Sequence, residues 1–277
     1  QMCIRDRAVL NGQASDWTKP PVPGPLSVTT EWATLAGVKC ADDLAALIDS
    51  ENSSCRRLPA VSDTALKAVV VGDSHAAQNV IPTMRLLHET DDWDITAFLK
   101  GGCSFGLPEY YKDSCRERNN VVLEQIEKNP PDVVVLQTTE TTKDSAIEQL
   151  RPGIKKIVEQ LTEKGITVIG FRDNPRSEKS LYECANAVGP QTLVGGCVFP
   201  KENAMAAEDP AKFLEENPLF HQIDPSDMLC PDDVCGTIIG DVFVYMDGNH
   251  ISATYSRTMA PELASRIKQT MGIDEPN

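Results

Sequence analysis

The chain has 277 residues, and 41% of them are hydrophobic, so it is long and apolar enough to bury a substantial core. Its 26 Lys and Arg against 41 Asp and Glu give a formal charge of −15, and such a surface repels nucleic acid and anionic lipid. No apolar run approaches the roughly 20 residues that a membrane span needs, and the first 30 residues lack a signal-peptide core. These counts favour a globular protein with no nucleic-acid partner.

The N-terminal part of the chain, residues 1–37, is predicted to be a linker or tether arm that is partly disordered. It contains the segment Lys19–Pro25, whose prolines favour a stiff, extended backbone. The first residues, Gln1–Arg7, do not resemble a natural start, and we interpret the chain as a fragment of a longer protein. Residues 38–277 are predicted to form one α/β domain.

Strands and helices are predicted to alternate along this domain. The first strand, Ala68–Gly72, is continuously apolar and β-branched, as expected for a strand covered on both faces. Helical spacing of apolar residues follows over 76–88, where Pro82 should kink the helix or mark its first turn. Then come a strand at Ile95–Leu99, a helix at Asn120–Lys128, a strand at Asp132–Gln137, a helix at Ile147–Lys164 that ends at Gly165, and a strand at Ile166–Phe171.

The last third of the chain is less regular. Residues 172–236 contain seven prolines and are predicted to be irregular. A hairpin around Gly240 is predicted over Thr237–Met246, and a terminal helix over Ala253–Met271, with Pro261 near its first turns. The alternation of strands and helices predicts right-handed βαβ units, and hence a three-layer α/β/α sandwich with a mostly parallel sheet. In such sheets, functional groups collect at the carboxyl ends of the strands.

The nine cysteines say more about location than the charge does. None are spaced as Cys-x-x-Cys and only four histidines accompany them, so a structural zinc site is disfavoured, whereas a catalytic cysteine stays open. With Cys3 set aside, proximity predicts four short-loop disulfides, although eight cysteines allow many other connectivities: Cys40 with Cys55, Cys103 with Cys115, Cys184 with Cys197, and Cys230 with Cys235. Such bonds indicate an extracytoplasmic domain.

The block Gly72-Asp73-Ser74-His75-Ala76 lies at the junction of the first strand and its helix. A serine there has its hydroxyl at the ligand edge of the sheet. Its amide is among the unpaired donors of a helix N-terminus, where developing negative charge is favoured. Ser74 is therefore a candidate nucleophile. The alternative is that Asp73 or Ser74 merely caps the helix.

A second block, Asp247–Ser252 with the sequence DGNHIS, precedes the terminal helix. Across its glycine turn, Asp247 can hold one imidazole nitrogen of His250 while the other nitrogen faces a substrate hydroxyl. A serine needs this help because its hydroxyl is a weak nucleophile until an oriented base removes the proton. The alternative is a structural loop histidine, with Ser252 as the N-cap of the helix.

Together these blocks resemble those of the SGNH, or GDSL-like, hydrolase superfamily, in which Gly-Asp-Ser follows the first strand and Asp-x-x-His precedes the last helix. More narrowly, the chain resembles the SGNH domain at the extracytoplasmic end of bacterial membrane acyltransferases of the acyltransferase-three type. These enzymes O-acylate lipopolysaccharide, peptidoglycan or other surface glycans. The narrower resemblance spans about residues 38–272 and rests on the GDSHA form of the first block, Lys100–Cys103 after the second strand, Cys230 and Cys235 ahead of Tyr245–Asp247, and the ending His250–Ser252.

The resemblance implies an SGNH hydrolase-like fold with flavodoxin-like topology, and roles for single residues. Ser74 would be the nucleophile, His250 the general base and Asp247 the residue that orients it. The amides of Ser74 and of Gly101 or Gly102 would form the oxyanion hole. The resemblance also implies O-acetylation of a surface glycan acceptor, in the periplasm or on the outer face of the cell membrane. An upstream membrane acyltransferase domain would tether the domain and supply the acyl donor, and the domain itself would hold no metal or cofactor.

The chain departs from the superfamily in the third block. The stretch Leu136–Glu140 lacks the Asn of the usual Gly-x-Asn-Asp, whose side chain donates to the oxyanion. Loss of such a donor costs about 10²- to 10³-fold in rate where it matters. Gln137 or Thr139 is a candidate replacement; otherwise the site is slow or a partner completes it. The membrane-fused subfamily also lacks the standard block, so the departure fits the narrower resemblance.

Four residues are candidates for binding substrate. Asp73 and His75 flank the candidate nucleophile, while Arg172 and Asp173 close the fourth strand, where they would reach a substrate hydroxyl or carboxylate. The alternatives are that His75 holds the turn between strand and helix, and that residues 172–176 are an ordinary polar loop.

Three other functions compete. Gly-Asp-x-His and Gly-Asn-His segments superficially resemble the metal-ligand blocks of metallophosphoesterases, but a two-metal site needs more ligands than the chain clusters. A catalytically idle glycan-binding or scaffold module would explain the missing Asn, but not the retained Ser, Asp and His. A secreted carbohydrate acetylesterase is the alternative if a plain signal peptide, rather than membrane spans, lies upstream of Gln1.

Overall fold

The computed structural model describes residues 21–24, 26–41, 44, 53–143, 145–188 and 197–273. Its strands are β1 (Val38–Lys39), β2 (Ser53–Leu58), β3 (Lys67–Gly72), β4 (Asp94–Lys100), β5 (Val133–Gln137), β6 (Thr139–Thr142), β7 (Ser145–Leu150), β8 (Thr167–Phe171), β9 (Phe199–Pro200), β10 (Phe220–Ile223), β11 (Val234–Cys235), β12 (Ile238–Ile239) and β13 (Val242–Phe243). Its helices are α1 (Ser74–Asp91), α2 (Asp113–Lys128), α3 (Ile154–Thr162), α4 (Leu181–Val188), α5 (Ser226–Leu229) and α6 (Ala253–Thr270). The unusual start Gln1–Arg7 and Cys3 lie outside the described residues.

Seven strands form the central sheet, in the order β1-β2-β4-β3-β5-β8-β10. From β4 to β10 all neighbours are parallel, and β1 and β2 extend one edge in antiparallel pairing. Numbered by chain order, the parallel strands run 2-1-3-4-5, which is the flavodoxin-like order, and the direction of winding reverses between β3 and β5. The predicted sandwich with a mostly parallel sheet and flavodoxin-like topology is confirmed.

Alternating residues of the central strands face two separate helical layers. On β3, Ala68 and Val70 belong to the core beneath α1 and α6, whereas Val69 and Val71 belong to the core beneath α2 and α3. This period of two is the side-chain period of a strand. Because helices cover both faces of the sheet, neither set of alternating residues faces water, and the strand is apolar throughout.

Helix α1 is continuous from Ser74 to Asp91, so Pro82 lies in its interior and does not mark its first turn. Proline has no backbone N–H, so the carbonyl of Gln78, one turn earlier, loses its helical donor. The hydroxyl of Ser256 in α6 donates to that carbonyl instead. The packing of α6 against α1 thus supplies the hydrogen bond that the sequence of α1 lacks.

The helix predicted over 147–164 is wrong in its first part. Residues Ser145–Leu150 form β7, paired with β6, and α3 begins only at Ile154. Pro152 and Gly153 separate the two elements, and Gly153 has a φ of 76°, which lies outside the helical region. The apolar spacing that predicted the helix therefore belongs to α3 alone. Gly165, predicted to end the helix, also has a φ of 76° just beyond it.

The segment predicted to be irregular contains the last strand of the sheet. Phe220–Ile223 pairs with β8 as β10, and Leu181–Val188 forms α4. Prolines flank β10 at 218 and 225 and shorten it to four residues, which is why its pattern is weak in the sequence. The antiparallel strand β2 was also missed, because the sequence predicted Ala68–Gly72 to be the first strand. The hairpin around Gly240 and the terminal helix agree with the structure.

The described residues of the predicted arm pack against the domain. Leu35 is buried in the core beneath α1 and α6. The amide of Ala33 donates to the side chain of Gln78 in α1, and the carboxylate of Glu31 accepts hydrogen bonds from Thr254 in α6. This part of the arm is therefore attached to both helices of one layer. The domain boundary at residue 37 stays a prediction.

All four predicted disulfides are formed, each closing a short loop: Cys40–Cys55, Cys103–Cys115, Cys184–Cys197 and Cys230–Cys235. Disulfides in this number form and persist in oxidising compartments rather than in the cytosol. The domain is accordingly extracytoplasmic.

Candidate active site

The carboxyl ends of β3 and β5 flank the point where the winding of the sheet reverses. Crevices at such points are where ligands bind in open parallel sheets. Ser74 is the first residue of α1, directly after β3, and the loop before α6 brings His250 to it. The two sequence blocks therefore meet at this edge, although 176 residues separate Ser74 from His250.

Asp73, not Ser74, caps helix α1. Its oxygen Oδ1 accepts hydrogen bonds from the amides of His75 (2.9 Å) and Ala76 (3.4 Å). No described residue accepts a hydrogen bond from the amide of Ser74, so this donor stays available at the helix N-terminus. The capping alternative thus applies to Asp73, and it leaves both the hydroxyl and the amide of Ser74 for other contacts.

Gly72 allows the strand and the helix to approach closely. A Cβ atom at this position would lie 2.4 Å from the Cβ of Ala76, far inside van der Waals contact. The block therefore needs a glycine before Asp73 and a small residue after His75, because any larger pair would push α1 away from the end of β3.

Ser74, His250 and Asp247 form a continuous chain of hydrogen bonds. Oγ of Ser74 lies 3.0 Å from Nε2 of His250, and Nδ1 of His250 lies 2.8 Å from Oδ2 of Asp247. Because the carboxylate accepts from Nδ1, a neutral imidazole carries its proton there and presents the free electron pair of Nε2 to the serine hydroxyl. An oriented base thus lies next to a weak nucleophile, which is the arrangement that nucleophilic catalysis by serine requires.

The backbone of the last loop holds Asp247 in place. Its Oδ1 accepts hydrogen bonds of 2.6 Å from the amides of Asn249 and His250, which leaves Oδ2 for the imidazole. Burial alone would raise the pKa of Asp247, but the hydrogen bonds that it accepts from His250 and Asn249, together with the charge of His250, outweigh burial and lower the pKa below its ordinary value. Ser252 ends the loop by accepting from the amide of Tyr255 and capping α6. The capping role belongs to Ser252, and the imidazole of His250 is directed at Ser74.

A network of buried charges lies beneath Ser74. Nη1 of Arg151 lies 2.6 Å from Oδ2 of Asp73, and its Nη2 lies 2.9 Å from Oε1 of Gln137. Burial alone would raise the pKa of Asp73, but the charges of Arg151 and His75 and the hydrogen bond from Arg151 together outweigh burial and hold the pKa well below its ordinary value. The carboxylate that caps α1 is therefore an anion fixed by an arginine from the β7–α3 turn.

His75 extends into the same network. Its Nδ1 lies 2.8 Å from Oδ1 of Asp173 and 2.9 Å from Oδ1 of Asn174. Its Nε2 lies 3.2 Å from Oδ1 of Asn249, whose amide nitrogen lies 3.3 Å from Nε2 of His250. Burial alone would raise the pKa of Asp173, but the neighbouring charge of His75 helps to hold it well below its ordinary value. Asn249 therefore bridges the two histidines.

The four predicted substrate-binding residues are all buried, and their polar groups are engaged within the protein. Asp73 and Asp173 belong to the network just described, as does His75. The guanidinium of Arg172 holds Glu148, with 2.7 Å between Nη2 and Oε2. Their role in binding substrate stays a prediction.

Gly101 and Gly102 form the turn after β4, at the same edge of the sheet as Ser74. In the parallel register of β3 and β4, Gly72 lies beside Leu99. Ser74 follows Gly72 by two residues, and Gly101 follows Leu99 by the same step. The candidate oxyanion amides therefore follow the ends of two neighbouring strands.

Gln137 and Thr139, the candidate replacements for the missing Asn, are both buried. Nε2 of Gln137 donates to Asp173 over 3.3 Å, and the hydroxyl of Thr139 donates to Glu148 over 2.8 Å. Both side chains are therefore bound to other protein groups. Their role as oxyanion donors stays a prediction.

The described residues contain no group of three or more His, Cys, Asp or Glu arranged to hold a metal ion. Within the same part of the chain, no helix combines the length and the apolar character of a membrane span.

The family model described as "SGNH domain (fused to AT3 domains)" matches residues 39–265. The chain belongs to this family. In the comparison with curated proteins, no protein matches this chain. The chain is similar in structure to the periplasmic domain of a lipopolysaccharide acetyltransferase from Salmonella ser. Paratyphi A, with a TM-score of 0.56 and 15% sequence identity over 75% of this chain and 85% of that one. At this identity the similarity supports the fold.

Three residues of the SGNH domain's site were given no role by the sequence. Arg151 lay inside a wrongly predicted helix, and the Pro152-Gly153 pair beside it is the signal that could have revealed the turn. Asn249 lay inside a recognised block. Trp32 lay in the predicted arm, yet its indole meets the imidazole of His250 edge-on, with 4.8 Å between ring centroids and 63° between planes. No local pattern distinguishes Trp32.

Proposed function

We propose that this SGNH domain transfers acyl groups, in particular acetyl groups, to hydroxyls of cell-surface glycans such as lipopolysaccharide or peptidoglycan. The observation that carries the proposal is the chain of hydrogen bonds from Ser74 through His250 to Asp247, at the point where the sheet reverses its winding. Family membership supports it, because SGNH domains of this family are fused to AT3 domains. The similar Salmonella domain comes from a lipopolysaccharide acetyltransferase.

In the first half of the reaction, Nε2 of His250 removes the hydroxyl proton of Ser74 while Oγ attacks the acyl carbonyl carbon. Negative charge develops on the carbonyl oxygen, where the amide of Ser74 and an amide of Gly101 or Gly102 would donate. The leaving group departs with the proton from His250, and the acyl group remains on Ser74 as an ester. Asp247 stabilises the imidazolium that forms between these steps.

In the second half, a glycan hydroxyl replaces the leaving group. It attacks the ester carbonyl as His250 takes its proton, and the proton then returns to Oγ of Ser74 when the acylated glycan leaves. Water in the place of the glycan gives hydrolysis by the same steps. The isolated domain is therefore expected to hydrolyse small activated esters, such as p-nitrophenyl acetate.

A membrane acyltransferase region of the same full-length protein would supply the acyl group. The domain would then work in the periplasm or on the outer face of the cell membrane, tethered through its arm. The four disulfides support a location outside the cytoplasm. The chemistry described above uses side chains and backbone amides alone, and the domain is proposed to need no cofactor of its own.

An active-site-directed fluorophosphonate tests the role of Ser74. We expect one label per domain, located on Ser74 by mass spectrometry, and no label on the variant Ser74→Ala. Ser62→Ala, which removes a serine hydroxyl from an exposed turn, is the control and should keep the label. A wild-type domain that takes no label would favour the idle glycan-binding module and overturn the proposal.

A second experiment separates transfer from hydrolysis. The domain is incubated with p-nitrophenyl acetate and an excess of de-O-acetylated lipopolysaccharide, and acetyl esters on the glycan are counted against free acetate. Acetylated glycan supports the acyltransferase. Free acetate alone, with Ser74 labelled, supports the carbohydrate acetylesterase instead.

A further inference from the structure

A cavity of about 330 Å³ lies between α1, α6 and residues 32–34 of the arm. It is separate from the buried charge network and borders the Ser74–His250 pair through one shared residue, Trp32. Four of its lining residues carry the argument: Trp32, Arg85, Glu89 and Arg257.

Trp32 is 47% exposed although the backbone on both sides of it is attached. The carbonyl of Glu31 accepts from the amide of Ala253 over 3.0 Å, and the amide of Ala33 donates to the side chain of Gln78. Holding a large aromatic ring half in water forgoes the free energy of burying it. Such a ring suits carbohydrate, because the apolar C–H face of a pyranose stacks on an indole.

The position of the cavity relative to Ser74 follows from helix geometry. Its near wall, Trp32, contacts the imidazole of His250. Arg85, on its far side, lies eleven residues after Ser74 on α1, which is about 16 Å along the helix axis. The cavity therefore begins next to the proposed base and extends away from the nucleophile. It suits the sugar units beside the reacting one rather than the reacting unit itself.

The polar groups of the cavity come from two facing helices. Arg85 and Glu89 of α1 form an exposed ion pair of 3.5 Å, and Nη1 of Arg257 in α6 lies 3.3 Å from the hydroxyl of Thr254. Guanidinium and carboxylate groups offer paired donors and acceptors, which match the neighbouring hydroxyls of a sugar ring. An acyl chain in the same place would cover these charged groups without forming hydrogen bonds to them, which is costly.

We propose that this cavity is a subsite for a pyranose ring of the acceptor glycan. The ring would stack on Trp32 and bond to arginines of α1 and α6, next to the unit whose hydroxyl receives the acyl group. The inference rests on the proposed function for the identity of the ligand, but the binding itself needs no acyl transfer. The arm would thus form one wall of the glycan site.

An NMR titration of the whole chain tests the subsite. The probes are an O-deacetylated tetrasaccharide released from Salmonella lipopolysaccharide and, for the acyl-chain alternative, sodium octanoate. We expect the tetrasaccharide to shift the indole N–H signal of Trp32, assigned with Trp32→Phe, and to leave the signal of the buried Trp93 unchanged. A shift by octanoate and not by the tetrasaccharide would overturn the proposal.

Two matched arginine variants sharpen the titration. Arg257→Ala should weaken tetrasaccharide binding about tenfold, which corresponds to about 1.4 kcal/mol. Arg116→Ala removes an arginine that is likewise exposed, from α2 in the opposite layer, and should bind as the wild type does. Equal affinities for the two variants would contradict the assignment.

Fluorophosphonate labelling of the same wild-type samples separates this proposal from the proposed function. Labelling of Ser74 without any tetrasaccharide shift overturns the subsite alone. A shift that Arg257→Ala weakens, without labelling of Ser74, overturns acyl transfer and leaves the subsite in place.

Discussion

Two histidine–aspartate pairs with the same local geometry lie within one site. In each, Nδ1 of the imidazole is 2.8 Å from a carboxylate oxygen: His250 with Asp247, and His75 with Asp173. The side chains of His250 and Asp247 are 13% and 41% exposed. Those of His75 and Asp173 are 4% and 0% exposed.

The difference in role lies in what the second ring nitrogen faces. Nε2 of His250 faces the hydroxyl of Ser74, which has a proton to give. Nε2 of His75 faces the side-chain oxygen of Asn249, which can only accept. A histidine–aspartate pair is therefore positioned to act as a base in one place and as a structural cross-link in the other. The distance between the imidazole nitrogen and the carboxylate oxygen does not by itself distinguish these roles.

The largest effect is expected from Ser74→Ala, which removes the proposed nucleophile beside the more exposed pair, His250–Asp247. The kcat for hydrolysis of p-nitrophenyl acetate should fall about 10⁴-fold, while urea unfolding stays close to that of the wild type. A fall of less than about tenfold would show that His250 serves another group.

Asp247→Asn tests the carboxylate of the His250–Asp247 pair. An amide cannot stabilise the imidazolium of His250, and the kcat should fall about 10³-fold. Because Asp247 is partly exposed, its loss should cost the free energy of unfolding less than about 1 kcal/mol. Both numbers come from one preparation, by ester hydrolysis and by urea titration. If Asp247→Asn lost much stability and little rate, the His250–Asp247 pair would be structural rather than catalytic.

His75→Ala should show the opposite balance. It leaves the buried carboxylate of Asp173 without its histidine, and the free energy of unfolding should fall by about 3 kcal/mol in urea titrations. The matched control is His88→Ala, on the same helix, where Nδ1 of a partly buried histidine lies 2.9 Å from the carbonyl oxygen of Trp93. The control should cost about 1 kcal/mol. Equal losses of unfolding free energy in the two variants would mean that the His75–Asp173 pair stabilises the fold no more than an ordinary hydrogen bond does.

The buried network should also make stability depend on acid pH. The pKa values of Asp73 and Asp173 are lowered in the folded domain, so both contribute stability above their ordinary pKa that is lost as the pH falls towards the folded values. Urea titrations should give a level free energy of unfolding above about pH 5 and a decline below about pH 4. In Arg151→Met the decline should be shallower, because Asp73 has lost the charge that lowers its pKa. If the unfolding free energy of Arg151→Met fell with pH as steeply as that of the wild type, the Arg151–Asp73 pair would be excluded as a source of the pH dependence.

The smallest effect concerns a serine that only supports structure. Ser256→Ala removes the donor to the carbonyl of Gln78 and should cost about 1 to 2 kcal/mol of unfolding free energy, with ester hydrolysis retained. The double variant with Pro82→Ala should recover most of the loss, because the substituted residue has an N–H for that carbonyl. Additive losses in urea titrations would contradict this account.

The parts of the site that the sequence predicted are those whose atoms lie close along the chain. Asp247 and His250 are three residues apart, and a turn of that length leaves few ways to arrange them. Arg151 binds Asp73 from 78 residues away, and no local pattern relates the two. The strand β10 was missed for a similar reason, because its place in the sheet comes from pairing with β8 rather than from its own four residues.

The alternation of strands and helices, the four disulfide pairs and the two blocks could be predicted from the sequence, since each rests on local spacing. The resemblance also pointed to His250 as the partner of Ser74, but nothing in the sequence predicted that His75 is buried against Asp173, 98 residues away. The contact between Trp32 of the arm and His250 was likewise visible only in the folded domain. The physical reason is that burial and hydrogen-bond partners depend on segments that meet only when the sheet and its two helical layers pack together.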